Sequence, residues 1–116
     1  MTLILTLSLS AISLSTLSDG GGDADLSATL LRWGNSYLKV MEGEPWRLIT
    51  YSFLHASWPH LTFNLIALII LGVRLEQVIG PFALFTLYLS SATLGGALSL
   101  YWRDLELSVG ASGGVY

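Results

Sequence analysis

A serine between small residues near the end of the sequence is the first candidate for chemistry. Ser112 stands between Ala111 and Gly113, with further glycines at positions 110 and 114. Glycines permit unusual backbone dihedrals and a close approach of substrate. A serine hydroxyl is a poor nucleophile unless a base takes its proton. The local pattern fits a serine that merely caps the start of a helix at least as well, so a catalytic interpretation needs partners elsewhere in the chain.

Two polar residues, His60 and Asn64, lie four positions apart inside a long uncharged stretch. On a helix this spacing puts them on one face, one turn apart. A neutral imidazole N–H and a carboxamide NH₂ are both donors, and two converging donors in a dry site are what a developing oxyanion requires. Taken alone, the pair is better explained as two polar helix residues that bond each other or a nearby backbone group than as an oxyanion site. Polar groups inside a membrane are costly, however, and indicate function.

The other histidine, His55, precedes the expected helix. On its own it is best interpreted as a loop residue bonded to a backbone carbonyl, and bracing of His60 is the alternative. Two histidines without cysteine or a third nearby ligand do not favour a zinc site. We therefore expect neither a metal nor a cofactor.

The elements that must position these residues are uncharged runs over 1–18, 48–73 and 78–102. A membrane-spanning helix needs about 20 mostly apolar residues, so the first run is marginal. Charged residues make up only 11% of the chain, against about 25% in soluble domains. The sequence therefore predicts an all-α membrane protein.

The helix boundaries follow from capping and turn signals. Ser57 is a plausible N-cap and Pro59 fits the first helical turn, while Arg74, Glu76 and Gln77 are expected to form the next loop. We expect one domain with spanning helices over 1–18, 58–73 and 81–102, a long first loop over 19–57, and the start of a fourth helix over 110–116.

Small residues recur every fourth position in the third run, as Ser91, Gly95 and Ser99 and again as Ala92 and Gly96. This spacing lets helix backbones approach closely. Ordinary tolerance of small residues in lipid explains the pattern equally well at this stage.

Two other function classes are disfavoured. The net charge of −3 leaves no basic surface for nucleic acid. Residues 110–114 also fit the G-x-S-x-G nucleophile elbow of α/β-hydrolases. That motif needs a strand before it and a soluble α/β body, so it is kept only as a weak alternative.

Taken in order, four short motifs in this chain resemble the rhomboid family of intramembrane serine proteases. They fit over residues 30–116 and are quite specific together, although each is weak singly. The motif-bearing stretches are 46–47, 55–64, 72–80 and 110–113.

The resemblance implies a rhomboid-like helical bundle in which Ser112 starts the fourth helix, below the membrane surface, as the nucleophile. It implies that His60 and Asn64 line the oxyanion site, helped by the backbone N–H of Ser112. It further implies that Tyr116 packs beside the catalytic histidine and that Glu76 anchors the loop after the second helix. The stretch 46–47 would belong to a loop lying partly in the membrane.

One departure from the family is large, because its general base is a histidine on a sixth helix and no residue follows Tyr116 here. We therefore expect a fragment of an endopeptidase that cleaves transmembrane segments of other membrane proteins by a Ser–His dyad. The fragment alone is expected to be inactive. The expected partners are a transmembrane protein substrate and the lipid bilayer. The alternative is a non-catalytic rhomboid-like protein that binds partner helices.

Overall fold

The computed structural model describes residues 1–18, 23–101 and 107–115, and these residues form helices without a sheet. The predicted all-α class is confirmed for this part of the chain. The elements in order are α1 (Thr2–Ser18), α2 (Asp23–Trp33), α3 (Tyr37–Met41), α4 (Arg47–Thr50), a 3-10 helix (Tyr51–Phe53), α5 (Trp58–Ile79), α6 (Pro81–Tyr101) and α7 (Ser112–Val115). The expectations for Tyr116 and for the end of the third run at residue 102 lie outside the described residues.

Two helices, α5 with 22 residues and α6 with 21, are long and apolar enough to cross a membrane. Helix α1 is apolar but has only 17 residues and does not reach that length. Large apolar side chains point outward from both long helices, for example Phe63 at 70% exposure and Phe82 at 82%. Two of the predicted spans are therefore supported by length and composition.

The predicted end of the second long helix at Val73 is wrong. Helix α5 runs six residues further, and the charged residues that we assigned to a loop form its last turns. Arg, Glu and Gln are good helix formers, so they interrupt the apolar run without ending the helix. The helix stops at Gly80, whose φ of 83° suits glycine, and Pro81 opens α6.

Glu76 consequently lies on α5 and holds a different element from the one expected. Its carboxylate accepts hydrogen bonds from the backbone N–H of Thr2 at 2.8 Å and from the Thr2 hydroxyl at 2.7 Å. Glu76 therefore fastens the first turn of α1 to α5, and its expected role in anchoring a loop is not what the structure gives.

The start of α5 follows the sequence signals. The Ser57 hydroxyl accepts a hydrogen bond from the His60 backbone N–H at 3.4 Å, and Pro59 occupies the first turn. This cap fixes where His60 leaves the loop and enters the helix.

The first loop is built from short helices held by one buried arginine. Arg47 is 4% exposed. Its Nη1 donates to the carbonyls of Leu31 at 2.9 Å and Gly34 at 2.8 Å, and its Nε donates to Glu44 at 2.6 Å. The planar fork thus ties α2 to α4.

The small residues of α6 are contact positions. A Cβ on Gly96 would lie 2.9 Å from the Tyr51 ring and 3.0 Å from the Leu48 carbonyl oxygen. A Cβ on Gly95 would lie 3.0 Å from the Cα of Gly113. These distances favour close backbone approach over mere tolerance, because α4, the 3-10 helix and α7 all pack against this face.

Candidate functional site

Ser112 is the first residue of α7 and the last residue of a tight turn, residues 110–112, that we call the serine turn. Gly110 has φ of 117°, a conformation that side chains other than glycine rarely adopt. Its N–H donates to the carbonyl of Tyr51 at 2.9 Å. The turn is therefore pinned to the 3-10 helix of the first loop.

Ser112 and His60 line one open cavity of about 430 Å³ between α5, α6 and the serine turn. Ser112 is exposed there and His60 is half-buried. Within the described residues no hydrogen bond joins their side chains. Most of the residues that line the cavity are small or polar. The lining consists of Tyr51, Ala56, His60, Gly95, Ser99, Leu107, Ser108, Val109, Ser112 and Gly113.

The His60 ring packs against the backbone of the serine turn. A Cβ on Gly110 would overlap the Cε1 of His60 and lie 2.6 Å from its Nε2. Glycine is therefore needed at position 110 for two reasons: the positive φ disfavours any other residue, and the His60 ring leaves no room for a Cβ. This packing places the His60 ring directly against the start of the serine turn.

Asn64 lies one turn below His60 on the same inward face of α5 and is 2% exposed. Its Nδ2 donates to the carbonyl oxygen of His60 at 3.1 Å. Asn64 is not one of the cavity-lining residues. The structure thus brings His60 and Ser112 to one cavity and leaves Asn64 buried outside it. Within the described residues, the Asn64 Nδ2 makes one hydrogen bond.

His55 is completely buried and is hydrogen-bonded through both ring nitrogens. Its Nδ1 lies 3.0 Å from the Ser13 hydroxyl, and its Nε2 accepts from the Ala111 backbone N–H at 3.5 Å. Burial, with His60 nearby, lowers the pKa of His55 from 6.5 to about 4. The expectation of a backbone carbonyl partner is wrong for this residue.

The ring of His55 meets the ring of His60 edge to face, with centroids 5.1 Å apart and an interplanar angle of 70°. Aromatic rings favour this arrangement. The alternative that His55 braces His60 is therefore supported by contact.

Two further residues around the site escaped the sequence reasoning. The Tyr51 hydroxyl donates to the Ala92 carbonyl at 2.8 Å, and burial, with a smaller contribution from Tyr88, raises the pKa of Tyr51 to about 12. Asn35 forms an isolated antiparallel bridge with Ser108. Both lie in stretches whose sequence gives no indication of the distant segment that they contact.

The G-x-S-x-G alternative fails on the fold. A nucleophile elbow needs a strand before the serine, whereas the segments that the structure describes contain one isolated bridge and no strand. The α/β-hydrolase interpretation is therefore wrong. Among the same residues no group of three His, Cys, Asp or Glu side chains comes together as a metal site would require.

Comparison with known proteins agrees with the helical fold. The Rhomboid domain family matches residues 42–116. The chain is 44% identical over 89 residues to RHOMBOID-like protein 6, mitochondrial, of Arabidopsis thaliana, an alignment covering 75% of this chain and 29% of that protein. It is 33% identical over 86 residues to the rhomboid protease AarA of Providencia stuartii, covering 74% and 31%. It is 37% identical over 81 residues to Rhomboid-related protein 2 of Mus musculus, covering 70% and 27%.

The chain thus spans less than a third of the length of these relatives. The matched region contains the serine turn, the α5 pair His60 and Asn64, and the buried Arg47. The domain match and the identities are consistent with each other, and the chain belongs to the rhomboid family.

Proposed function

We propose that this chain forms the nucleophile-bearing part of an intramembrane serine endopeptidase, with Ser112 as the nucleophile. The observation that carries the proposal is the shared cavity: Ser112 is exposed in it, and the His60 ring stands in the same wall. A reacting carbonyl in this space would meet the serine hydroxyl and an imidazole N–H together.

The oxyanion donors in this proposal are His60, Asn64 and the backbone N–H of Ser112. Donors aimed at a developing oxyanion are most effective where water is excluded. His60 has a ring free of hydrogen bonds within the described residues. Among the residues that the structure describes, Asn64 Nδ2 uses one of its two N–H groups, and the side chain would need to turn toward the cavity as substrate enters.

The proposed substrates are transmembrane segments of other membrane proteins, reached from the bilayer. The outward apolar faces of α5 and α6 support a location in lipid. The proposed chemistry is acyl transfer by a Ser–His dyad, without metal or cofactor.

We further propose that residues 1–116 alone are inactive. General-base help is worth about 10²–10⁴ in rate. His55 is hydrogen-bonded at both ring nitrogens, and the oxyanion role requires His60 to donate where a base must accept. Neither of the two histidines in the sequence is therefore available to deprotonate Ser112.

Activity-based labelling tests the nucleophile. The gene product that contains these residues, embedded in detergent or lipid, should react with a serine-directed fluorophosphonate and cleave a fluorescent transmembrane substrate. Ser112→Ala should abolish both, whereas Ser90→Ala, at an exposed serine bonded only within α6, should change neither. Cleavage retained in Ser112→Ala would refute the assignment. Labelling of residues 1–116 alone that disappears in Ser112→Ala would refute the proposed inactivity.

A second candidate is a rhomboid-like protein that binds partner helices without catalysis. It is favoured by one observation: within the described part of the chain, the Ser112 hydroxyl has no hydrogen-bonded base. Under this alternative the fluorophosphonate would not react, and Ser112→Ala would leave co-purification of partner proteins unchanged.

A further inference from the structure

A buried chain of hydrogen bonds joins α1 to the serine turn. It runs from the Ser13 hydroxyl to His55 Nδ1, over 3.0 Å, and from His55 Nε2 to the backbone N–H of Ala111, over 3.5 Å. Ser13, His55 and Ala111 are all 0% exposed. Water therefore does not compete for these bonds.

The direction of each bond is fixed by chemistry. A backbone N–H can only donate, so Nε2 of His55 must accept and carry no proton. The proton of a neutral imidazole then resides on Nδ1, since the bond made at one ring nitrogen sets the state of the other. Nδ1–H consequently donates to the Ser13 oxygen, which is the acceptor in this pair.

Ser13 differs from most of the other hydroxyl residues of α1. The hydroxyls of Thr6, Ser10, Ser15 and Thr16 donate to carbonyls three or four residues earlier in the same helix. The Ser13 hydroxyl instead reaches a residue 42 positions away. Among the described hydroxyls of α1, it is the one bonded to a residue that contacts the serine turn.

We propose that Ser13 is a positioning residue for the serine turn. By accepting a hydrogen bond from Nδ1–H of His55, Ser13 keeps the Nε2 lone pair directed at the Ala111 N–H. This bond holds Ala111, the residue that precedes Ser112. The same histidine abuts the His60 ring at 5.1 Å. Ser13 thereby acts through His55 on both the turn and the oxyanion donor. The catalytic part of this inference rests on the proposed function, but the tautomer part does not.

Nuclear magnetic resonance of the whole 116-residue chain in detergent, with ¹⁵N-labelled histidine, tests the tautomer. We expect His55 of the unaltered chain to be protonated at Nδ1. In Ser13→Ala we expect the proton to move at least partly to Nε2 and the Ala111 amide to exchange with solvent about tenfold faster. Ser13→Thr keeps the hydroxyl and should restore both signals.

Ser10→Ala is the matched control, because it removes a hydroxyl of the same helix that bonds only to Thr6. It should leave the His55 tautomer and the Ala111 amide unchanged. A wild-type His55 protonated at Nε2 would overturn the proposal without any variant, as would an unchanged tautomer in folded Ser13→Ala.

The kinetic consequence is measured in the gene product that contains these residues. Ser13→Ala should lower kcat with little change in KM, because the turn is misplaced while substrate binding remains, and Ser13→Thr should recover it. An unaltered kcat in Ser13→Ala with a shifted tautomer would refute the positioning role. If the gene product did not cleave the substrate at all, kcat would be unmeasurable while the tautomer result still held, so the two failures are distinguishable.

Discussion

Two histidines contact the serine turn, His55 at Ala111 and His60 at Gly110. We call the surroundings of His55 the sealed side of the turn and those of His60 the open side. On the sealed side, His55 is fully buried and both ring nitrogens are occupied, by Ser13 and by the Ala111 N–H. On the open side, His60 is half-buried and its ring faces the cavity that also contains Ser112. The rings touch edge to face, so the difference between them comes from hydrogen bonding and exposure rather than from distance.

This difference indicates that the two histidines have different roles. A histidine whose ring nitrogens are both hydrogen-bonded can hold the backbone in place but has no nitrogen left to bond a substrate. His60, whose ring has no hydrogen bond within the described part of the chain and which lines one cavity with the exposed Ser112, can donate to a reacting group. The fixed ring on one side limits how far the free ring on the other can move. The two sides can be perturbed separately, and the expected effects are given below from the largest to the smallest.

Replacing Gly110 should damage both sides at once. Gly110→Ala forces a side chain into φ of 117°, at a cost of about 1–3 kcal/mol. The added methyl also overlaps the His60 ring, which costs roughly another 1–3 kcal/mol. Thermal unfolding in detergent measures the loss.

Gly43→Ala provides the control for that variant. Gly43 has a similar φ of 103°, but nothing lies within 4 Å of its added Cβ, so only the backbone strain applies. Equal destabilisation of the two variants would show that the His60 ring does not press against the turn.

Lowering the pH should reduce the stability of the folded protein through His55 on the sealed side. His55 has a pKa of about 4 in the folded protein against 6.5 ordinarily, so the unfolded chain binds a proton in this window that the folded chain does not. Stability should therefore fall as the pH drops from 6.5 to 4, by roughly 3 kcal/mol, and change little from this cause above or below that window. Direct titration of the His55 ring signals measures the pKa, and a midpoint near 6.5 would contradict the buried arrangement.

Removing Asn64 tests the open side. In the full gene product, Asn64→Ala should lower kcat by about 10²-fold or less, because two of the proposed oxyanion donors, His60 and the Ser112 N–H, would remain. Thr62→Ala, at an exposed residue bonded to the Trp58 carbonyl of the same helix, should leave kcat unchanged. A rise in KM with constant kcat would instead assign Asn64 to substrate binding.

The smallest effect is expected at Tyr51, whose hydroxyl bonds the Ala92 carbonyl. Tyr51→Phe keeps the ring and the carbonyl that holds Gly110, and should cost about 1 kcal/mol. The measurement is again thermal unfolding. A loss several times larger would mean that the hydroxyl, and not the backbone, secures the turn.

The sequence was sufficient for the parts of this protein that depend on local chemistry. The uncharged runs predicted the long helices, Ser57 and Pro59 predicted where α5 begins, and the four-residue spacing put His60 and Asn64 on one face. The predicted end of α5 at Val73 is wrong because charged residues do not stop a helix. Gly80 and Pro81, both visible in the sequence, are the residues that end one helix and start the next.

Contacts between distant segments could not be read from the sequence in the same way. Ser13 is one of many hydroxyl residues in its helix, and only the packing of α1 against His55 distinguishes it. Asn35 and Tyr51 are similar cases, since their partners lie 41 or more positions along the chain. Hydrogen bonds of this kind depend on how helices are rotated about their axes, which composition does not encode.

Among the described residues, side-chain hydrogen bonds join α1 to distant segments at Thr2, bonded to Glu76, and at Ser13, bonded to His55. This has a consequence for how α1 can vary. The two attachments lie about 16 Å apart along the helix at 1.5 Å per residue. A single inserted or deleted residue between them would swing one attachment about 100° around the axis relative to the other. Exposed apolar residues of this stretch, such as Leu3 and Leu7, can therefore be exchanged at little cost. Its length cannot change in the same way, because it is set by the distance between the Glu76 carboxylate and the buried His55 ring.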